Sequence, residues 1–264
     1  MKAGIMQPYF FPYIGYWQLI HAADIFVVFD DVSFMKRGWI HRNRILVSGR
    51  TEYIRVPLLK ASQNKRIDEI RISRDGKELE KPLRMIAQAY RKAPYFARAY
   101  RLAEEAVAYG YENDSLSEFL FHSISLTCRY LGIRTQLLQS SRIEKDENLR
   151  GQEKILAICR KLGASDYYNA IGGMGLYDFS VFQEQGIGLH FLKTGYIPAR
   201  KPGCVLDGYL SVIDDMMFHS AKEINEMLGN YQLIENRGGG DLVPAYAAVF
   251  LCWHSCLRGG LQHE

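Results

Sequence analysis

The sequence predicts an α/β fold built on an open, mostly parallel sheet with helices on both faces and a C-terminal helical region. Three observations predict it. From residue 135 onward, short β-branched or aromatic runs alternate with segments of helical length. The run IFVVF (25–29) is apolar at every position, as a strand covered on both faces must be. Loops bearing glycine follow the ends of several of these runs, where open parallel sheets bind ligands. Together these describe a Rossmann-like sheet.

The elements follow in order. Residues 2–7 (KAGIMQ) read as a short buried strand, and PYFFPYIGYW begins as a loop because Pro8, Pro12 and Gly15 interrupt it. A helix is expected from Ile14 to Ala23, then the strand IFVVF, which completes a βαβ unit. Residues 44–58 read as a hairpin turning at Ser48-Gly49-Arg50, followed by a polar connector, KASQNKRIDEIRIS. Helices are expected over 77–92, 95–109 and 115–132, the last with Ser115 and Glu118 as a capping box and Gly132 as its stop. Strands at 135–141, 166–171 and 188–193 alternate with helices at 151–163 and 176–186. One or two helices cover 209–228, and Gly238–Gly240 resembles a linker. The expected division is an α/β domain over 1–200 with a helical insertion at about 77–132, and a helical region over 201–264 packed on it.

Composition narrows the classes. The 264 residues are 48% hydrophobic and 23% charged, which excludes disorder, collagen-like repeats and an all-coiled-coil chain. A net charge of +4 suits anionic small molecules but is too weak to argue for nucleic acid. Five cysteines (Cys128, Cys159, Cys204, Cys252, Cys256) form no Cys-x-x-Cys pair, so free thiols in a reducing cytoplasm are expected and no metal site is. The prolines and Gly15 argue against a signal peptide, and LVPAYAAVFLCWHSCL (242–257) is too short to span a bilayer. The unusual count is 17 tyrosines, a residue that builds cores and also lines sites for sugars and phosphates.

Three loops at strand ends hold the least ordinary residues. The first runs from Gln7 through Tyr9 to Tyr13-Ile14-Gly15-Tyr16 at a helix start. Class I adenylating enzymes and nucleotidylyltransferases place a His-x-Gly-His motif at this point, where the helix N-terminus faces phosphate. Both histidines are tyrosines here, which donate hydrogen bonds but carry no charge, and they equally suit packing a loop. The second loop, DDVSFMKRGWIHRNR, offers Asp31 as a cation or amine acceptor. It also offers Lys36 and Arg42 for phosphate, Trp39 for stacking, Asn43 for amide bonding and His41 as a general base or a surface histidine. The third, NAIGGMGLYD, contains Asn169, Gly172, Gly173, Tyr177 and Asp178; its glycines permit close backbone approach to an anion or simply a tight turn. Ser211 and Asp214 either reach the same place from the C-terminal helix or cap that helix.

At these loops the sequence resembles the WbqC-like protein family. The matching stretches are GIMQPYFFPYIGYWQLI, ADIFVVFDDVSFMKRGWIHRNRI, YNAIGGMGLYDFSVFQEQGIGLHFL and YLSVIDDMMFHS, which span roughly residues 3–234. The resemblance implies a place in bacterial O-antigen or related sugar-modifying biosynthesis and a glycine transferase role. It points to Gln7, Pro8, Tyr9, Pro12, Gly15 and Trp17 in the first loop, to Asp31, Lys36, Trp39, Arg42 and Asn43 in the second, and to Asn169, Gly172, Gly173, Tyr177 and Asp178 in the third, with Ser211 and Asp214 beyond. The family pattern has Asn where His41 stands.

The expected activity is an amide-forming aminoacyl transfer onto an amino sugar or similar small amine, with Asp31 or His41 accepting the amine proton. Phosphate-bearing substrates such as a sugar nucleotide are the expected partners, with an aminoacyl-tRNA or a carrier thioester as possible donor. If the donor is an adenylate made in place, ATP and magnesium join the list. A non-catalytic sugar-nucleotide-binding protein is the remaining alternative.

Overall fold

The computed structural model describes residues 1–195 and 210–235. In chain order the strands are β1 (Lys2–Met6), β2 (Ile25–Val28), β3 (Arg42–Val47), β4 (Arg50–Arg55), β5 (Leu58–Leu59), β6 (Arg71–Ile72), β7 (Gln136–Gln139), β8 (Asp166–Ala170), β9 (Gly188–Thr194) and β10 (Tyr231–Glu235). The helices are α1 (Ile14–Ala22), α2 (Gly76–Leu79), α3 (Lys81–Tyr90), α4 (Phe96–Glu112), α5 (Leu116–Leu131), α6 (Gly151–Leu162), α7 (Phe179–Glu184), α8 (Val212–Phe218) and α9 (Ala221–Leu228).

Six strands form the main sheet in the order β10-β9-β8-β1-β2-β7, and all neighbours are parallel except β10 against β9. Counted by occurrence, the parallel strands lie third-second-first-fourth-fifth, the Rossmann-like order. Alternation across the pleat sends side chains to two cores. Met6, Phe26, Val28, Tyr168 and Ala170 join one continuous core with buried residues of α1, α4, α5, α8 and α9 on one face. Ala3, Ile5, Val27, Tyr167, Leu189 and Phe191 meet α6 and α7 on the other. Both faces of the central strands are thus covered, which is why IFVVF shows no polar alternation.

The insertion begins earlier than expected: it is the whole connection from β2 to β7, which holds the β3–β4 hairpin, the β5–β6 pair and helices α2 to α5. The hairpin turns at Ser48 and Gly49, whose φ values of 50° and 79° give the right twist for a two-residue turn. The expected helix at 77–92 divides at Glu80 because Pro82 has no N–H to donate to the Glu78 carbonyl. Ser115 caps α5 by accepting the Glu118 amide, but Glu118 does not complete a capping box. Its carboxylate instead accepts Gln139 Nε2 at 3.0 Å and Arg142 Nη2 at 2.7 Å, tying α5 to the end of β7. The C-terminal region is not helical throughout: after α8 and α9, β10 extends the sheet. The expected linker at Gly238–Gly240 and the apolar stretch 242–257 lie outside the described residues. Among the described residues, no helix is long and apolar enough to cross a membrane.

Candidate functional site

The order of the sheet reverses between β1 and β8: α1 follows β1 and packs on one face, whereas the helices flanking β8, α6 and α7, pack on the other. Open sheets of this kind bind ligands outside the carboxyl ends of the strands at that switch point. Gln7 follows the end of β1 there, and Asn169 and Ala170 end β8. The first and third loops therefore meet at one edge, while Asp30 and Asp31 stand at the end of β2 and Ser140 and Ser141 beyond β7.

The first loop is held from below. Tyr16, fully buried, donates its hydroxyl to the Gln7 carbonyl at 3.0 Å, and Trp17 donates Nε1 to the Pro12 carbonyl at 2.9 Å. Tyr9 packs against Tyr16 with ring centroids 5.6 Å apart. Helix α1 starts at Tyr13 with no side-chain cap and no acidic residue in its first turn, so nothing in its own sequence offsets the positive end of the helix. Gly15 is required by packing: a Cβ there would overlap Thr194 Oγ1 and fall 2.5 Å from Tyr13 Cε2.

The third loop carries a hydrogen-bond relay. Asn169 Oδ1 accepts the Ala170 amide at 2.7 Å, and its Nδ2 donates to the Tyr177 hydroxyl at 3.1 Å. That hydroxyl lies 3.0 Å from the Tyr167 hydroxyl. Burial pushes Tyr177 up to about 12, despite the bonds from Tyr167 and Asn169, so it stays a neutral phenol at physiological pH. Gly173 makes the relay possible, because a Cβ would stand 2.7 Å from Asn169 Nδ2. Gly172 lies beside it in the 3-10 turn Ile171–Leu176. Asp178 is exposed and caps α7 by accepting the Ser180 amide at 2.9 Å.

The two aspartates of the second loop are anchors. Asp30, wholly buried, accepts Ser117 Oγ at 2.5 Å, the Ser141 amide at 2.9 Å and Ser141 Oγ at 2.8 Å. Asp31 Oδ2 pairs with both Lys145 and Lys154 at 2.8 Å, and Oδ1 accepts Ser140 Oγ at 2.6 Å. The three charged side chains are 8%, 5% and 3% exposed, which makes this a buried triad with a net formal charge of +1. Burial pushes the Asp31 carboxyl up, but bonds from Lys145, Lys154 and Ser140 outweigh it and hold it below the usual carboxylate range. Burial pulls Lys154 below the usual lysine range, only partly offset by Asp31. Lys154 also donates to the Asp31 carbonyl at 2.7 Å, and Lys145 to the Ser140 carbonyl.

The basic part of the second loop lies elsewhere, on the insertion. Arg42 closes the loop on itself, donating to the Gly38 carbonyl at 3.2 Å and the Arg37 carbonyl at 2.6 Å, and it stacks 4.7 Å from the centre of the Tyr53 ring. Trp39 is covered by Arg44 at 5.1 Å and by Tyr53 with centroids 6.3 Å apart. Buried Asn43 donates Nδ2 to the Phe10 and Phe11 carbonyls at 3.1 and 2.9 Å, and Ser211 donates to Phe11 at 2.7 Å while capping α8. Asp214 accepts the Tyr90 hydroxyl at 2.5 Å in the interior. Asn43 and Ser211 therefore shape the first loop from beneath. Lys36 and His41 line a cleft of about 440 Å³ with Tyr53, Arg55, Glu78 and Lys81. Burial, then Arg42 and Arg55, push His41 down to about 4, so its imidazole is neutral and weakly basic.

Of the sequence candidates, the fold thus gathers Gln7, Tyr13, Gly15, Asn169, Gly172, Gly173 and Tyr177 at the switch point. It sets Asp31 beside them at the end of β2 and puts Lys36 and His41 in the cleft of the insertion. The sequence also marks Tyr167 as flanking the glycine-rich loop; sequence reasoning missed Ser140, Lys145 and Lys154. One signal was available for Lys154: it lies four residues before Ile158, on the face that α6 turns to the core. Cys128 and Cys159 are buried free thiols, both pushed up to about 12 by burial; Cys204, Cys252 and Cys256 lie outside the described residues.

Comparison with known proteins matches residues 7–226 to the model of the WbqC-like protein family. The chain is 32% identical over 232 residues to "Uncharacterized protein Rv1507c" of Mycobacterium tuberculosis (strain ATCC 25618 / H37Rv), covering 86% of this chain and 97% of that protein. No solved structure gives a significant match.

Proposed function

The chain belongs to the WbqC-like protein family, and from that premise we propose that it is a transferase that joins an aminoacyl group of glycyl type to the amine of a phosphate-bearing amino sugar. The observation that carries the reading is the switch point itself. The uncapped start of α1 and the Gly172–Gly173 turn offer backbone amides there, next to the Asn169–Tyr177–Tyr167 relay.

The reaction is nucleophilic attack of the acceptor amine on the donor carbonyl. A C–N bond forms, the donor's C–O or C–S bond breaks as the tetrahedral intermediate collapses, and the surplus proton of the attacking nitrogen leaves with the departing oxygen or sulfur group or passes to water. In this scheme the α1 start and Gly172–Gly173 hold phosphate, and Tyr177, kept protonated, donates to the carbonyl oxygen as it becomes anionic. Asp31 is ionised but committed to two lysines, so its role is to position Ser140 and the lysine pair. The net positive charge of that triad favours an anionic substrate at the same edge.

A mass-spectrometric assay tests this directly. The protein is incubated with amino-sugar nucleotides and glycine, with ATP or with glycyl-tRNA, and the expected product is the sugar nucleotide carrying one glycyl group. No product with any donor, alongside retained sugar-nucleotide binding, rejects transfer in favour of a binding protein. The third-second-first-fourth-fifth strand order favours a second reading, an ATP-dependent adenylating ligase. Amino-acid-dependent pyrophosphate exchange distinguishes it from simple transfer.

A further inference from the structure

The cleft on the insertion shares no lining residue with the switch point. Its walls come from four places: Phe34, Lys36 and His41 from the loop after β2, Tyr53 and Arg55 from β4, Val56, Pro57, Leu58 and Ala61 beyond it, and Glu78, Lys81 and Met85 from α2 and α3. We infer that this cleft is a second ligand site, taking a phosphate monoester on a small apolar body.

The charge of the lining points to a dianion. Lys36, Arg55 and Lys81 face one acid, Glu78, which leaves a formal charge of +2 with a neutral His41. A phosphate monoester carries about −1.5 to −2 at neutral pH and matches that excess, whereas a carboxylate satisfies half of it. The apolar wall of Phe34, Val56, Pro57, Leu58 and Met85 calls for an organic body rather than free phosphate. The volume of about 440 Å³ lies within the ordinary range for small-molecule sites.

His41 supplies an independent observation. Its Nδ1 is buried with no hydrogen-bond partner among the described residues. Native structures leave few buried polar atoms unpaired, and each calls for an explanation such as strain, a functional role or a bound water or ion; here the same ring lines the cleft. The ring is held in place by Phe34, with centroids 5.5 Å apart. A neutral imidazole has one N–H to donate, and a phosphate oxygen accepts it without a change of protonation. Arg42, the other phosphate candidate of this loop, bonds to backbone carbonyls instead.

The inference stands apart from the proposed transferase activity, because it concerns binding alone. The test is titration of the full chain with phenyl phosphate, benzoate and inorganic phosphate, read by calorimetry and by the His41 imidazole resonances. Saturable phenyl phosphate binding that perturbs His41, at least about fivefold tighter than benzoate or inorganic phosphate, supports the site. Arg55 and Lys81 are exposed, so Arg55→Glu and Lys81→Glu retain the fold, and each is expected to weaken phenyl phosphate about tenfold or more. Absence of saturable binding, equal binding of benzoate, or indifference to both charge reversals overturns the proposal.

Discussion

Replacing Asp31 by Asn tests the buried triad most sharply. The change keeps the shape of the side chain and removes its charge, leaving Lys145 and Lys154 facing each other. Both ammonium groups lie 2.8 Å from the same oxygen, so they stand within about 6 Å of one another. At an effective dielectric near 20, two like charges about 5.5 Å apart repel by about 3 kcal/mol. Losing two charge-assisted bonds adds to this, and an expected loss of about 3–5 kcal/mol agrees with what breaking a buried ion pair costs. Lys154→Met instead leaves one neutral Asp31–Lys145 pair and an apolar chain of similar length, so its expected cost is only about 1–2 kcal/mol.

The decisive variant is the double one. If repulsion between the lysines is the main injury in Asp31→Asn, adding Lys154→Met relieves it, and the double variant is more stable than Asp31→Asn alone. Urea denaturation at pH 7 with linear extrapolation measures all three variants. A double variant less stable than Asp31→Asn refutes the argument. The pH dependence gives a second check. The Asp31 carboxyl is held below its unfolded value, so its contribution is complete above that value and disappears as pH falls through the folded one. The gap between wild type and Asp31→Asn should therefore be constant above about pH 5 and close on acidification below about pH 4.

Three other outcomes are expected. Gly15→Ala should cost about 1–3 kcal/mol in a denaturation measurement, since the new methyl overlaps Thr194 and crowds Tyr13 at the start of α1. Gly173→Ala should displace the Asn169 amide from Tyr177 and weaken sugar-nucleotide binding about tenfold by calorimetry while the melting temperature moves by only a few degrees. His41→Asn should gain on the wild type in acid. The unfolded chain takes up the His41 proton near pH 6.5 while the folded chain resists until about 4, so wild-type stability falls across that window. For this part-exposed ring the gain is of order 1–2 kcal/mol once solvent screening is allowed for, and equal acid sensitivity of the two proteins argues against it.

Much of the α/β core was legible because it rests on local patterns. IFVVF, the Gly163 stop of α6 and the Ser48-Gly49 turn state their conformations through β-branching, left-handed glycine and turn chemistry. The strands β5 and β6 were not legible, being two residues long and surrounded by polar connector. Nor was β10, whose sequence, YQLIE, becomes a strand by pairing with β9. At the site, glycine loops and tyrosines marked the edge correctly as an unusual place. The partners of Asp31 were hidden, because Lys145 and Lys154 lie 114 and 123 residues away and read as ordinary surface lysines.

By itself, then, the sequence determined the alternation of strands and helices, the family, and the loops rich in glycine, tyrosine and charge. These depend on neighbours within a few residues, where backbone sterics and side-chain periodicity act. Only the tertiary structure decided what each residue of those loops does. It closed Asp30 into a cluster of hydroxyls and Asp31 into a pair of lysines, turned Asn43 and Ser211 toward the backbone of the first loop, and opened the cleft beside His41. The reason is the cost of burying polar groups: each had to find a partner in space, and the sheet, by ordering its strands, chose which distant segment supplied it.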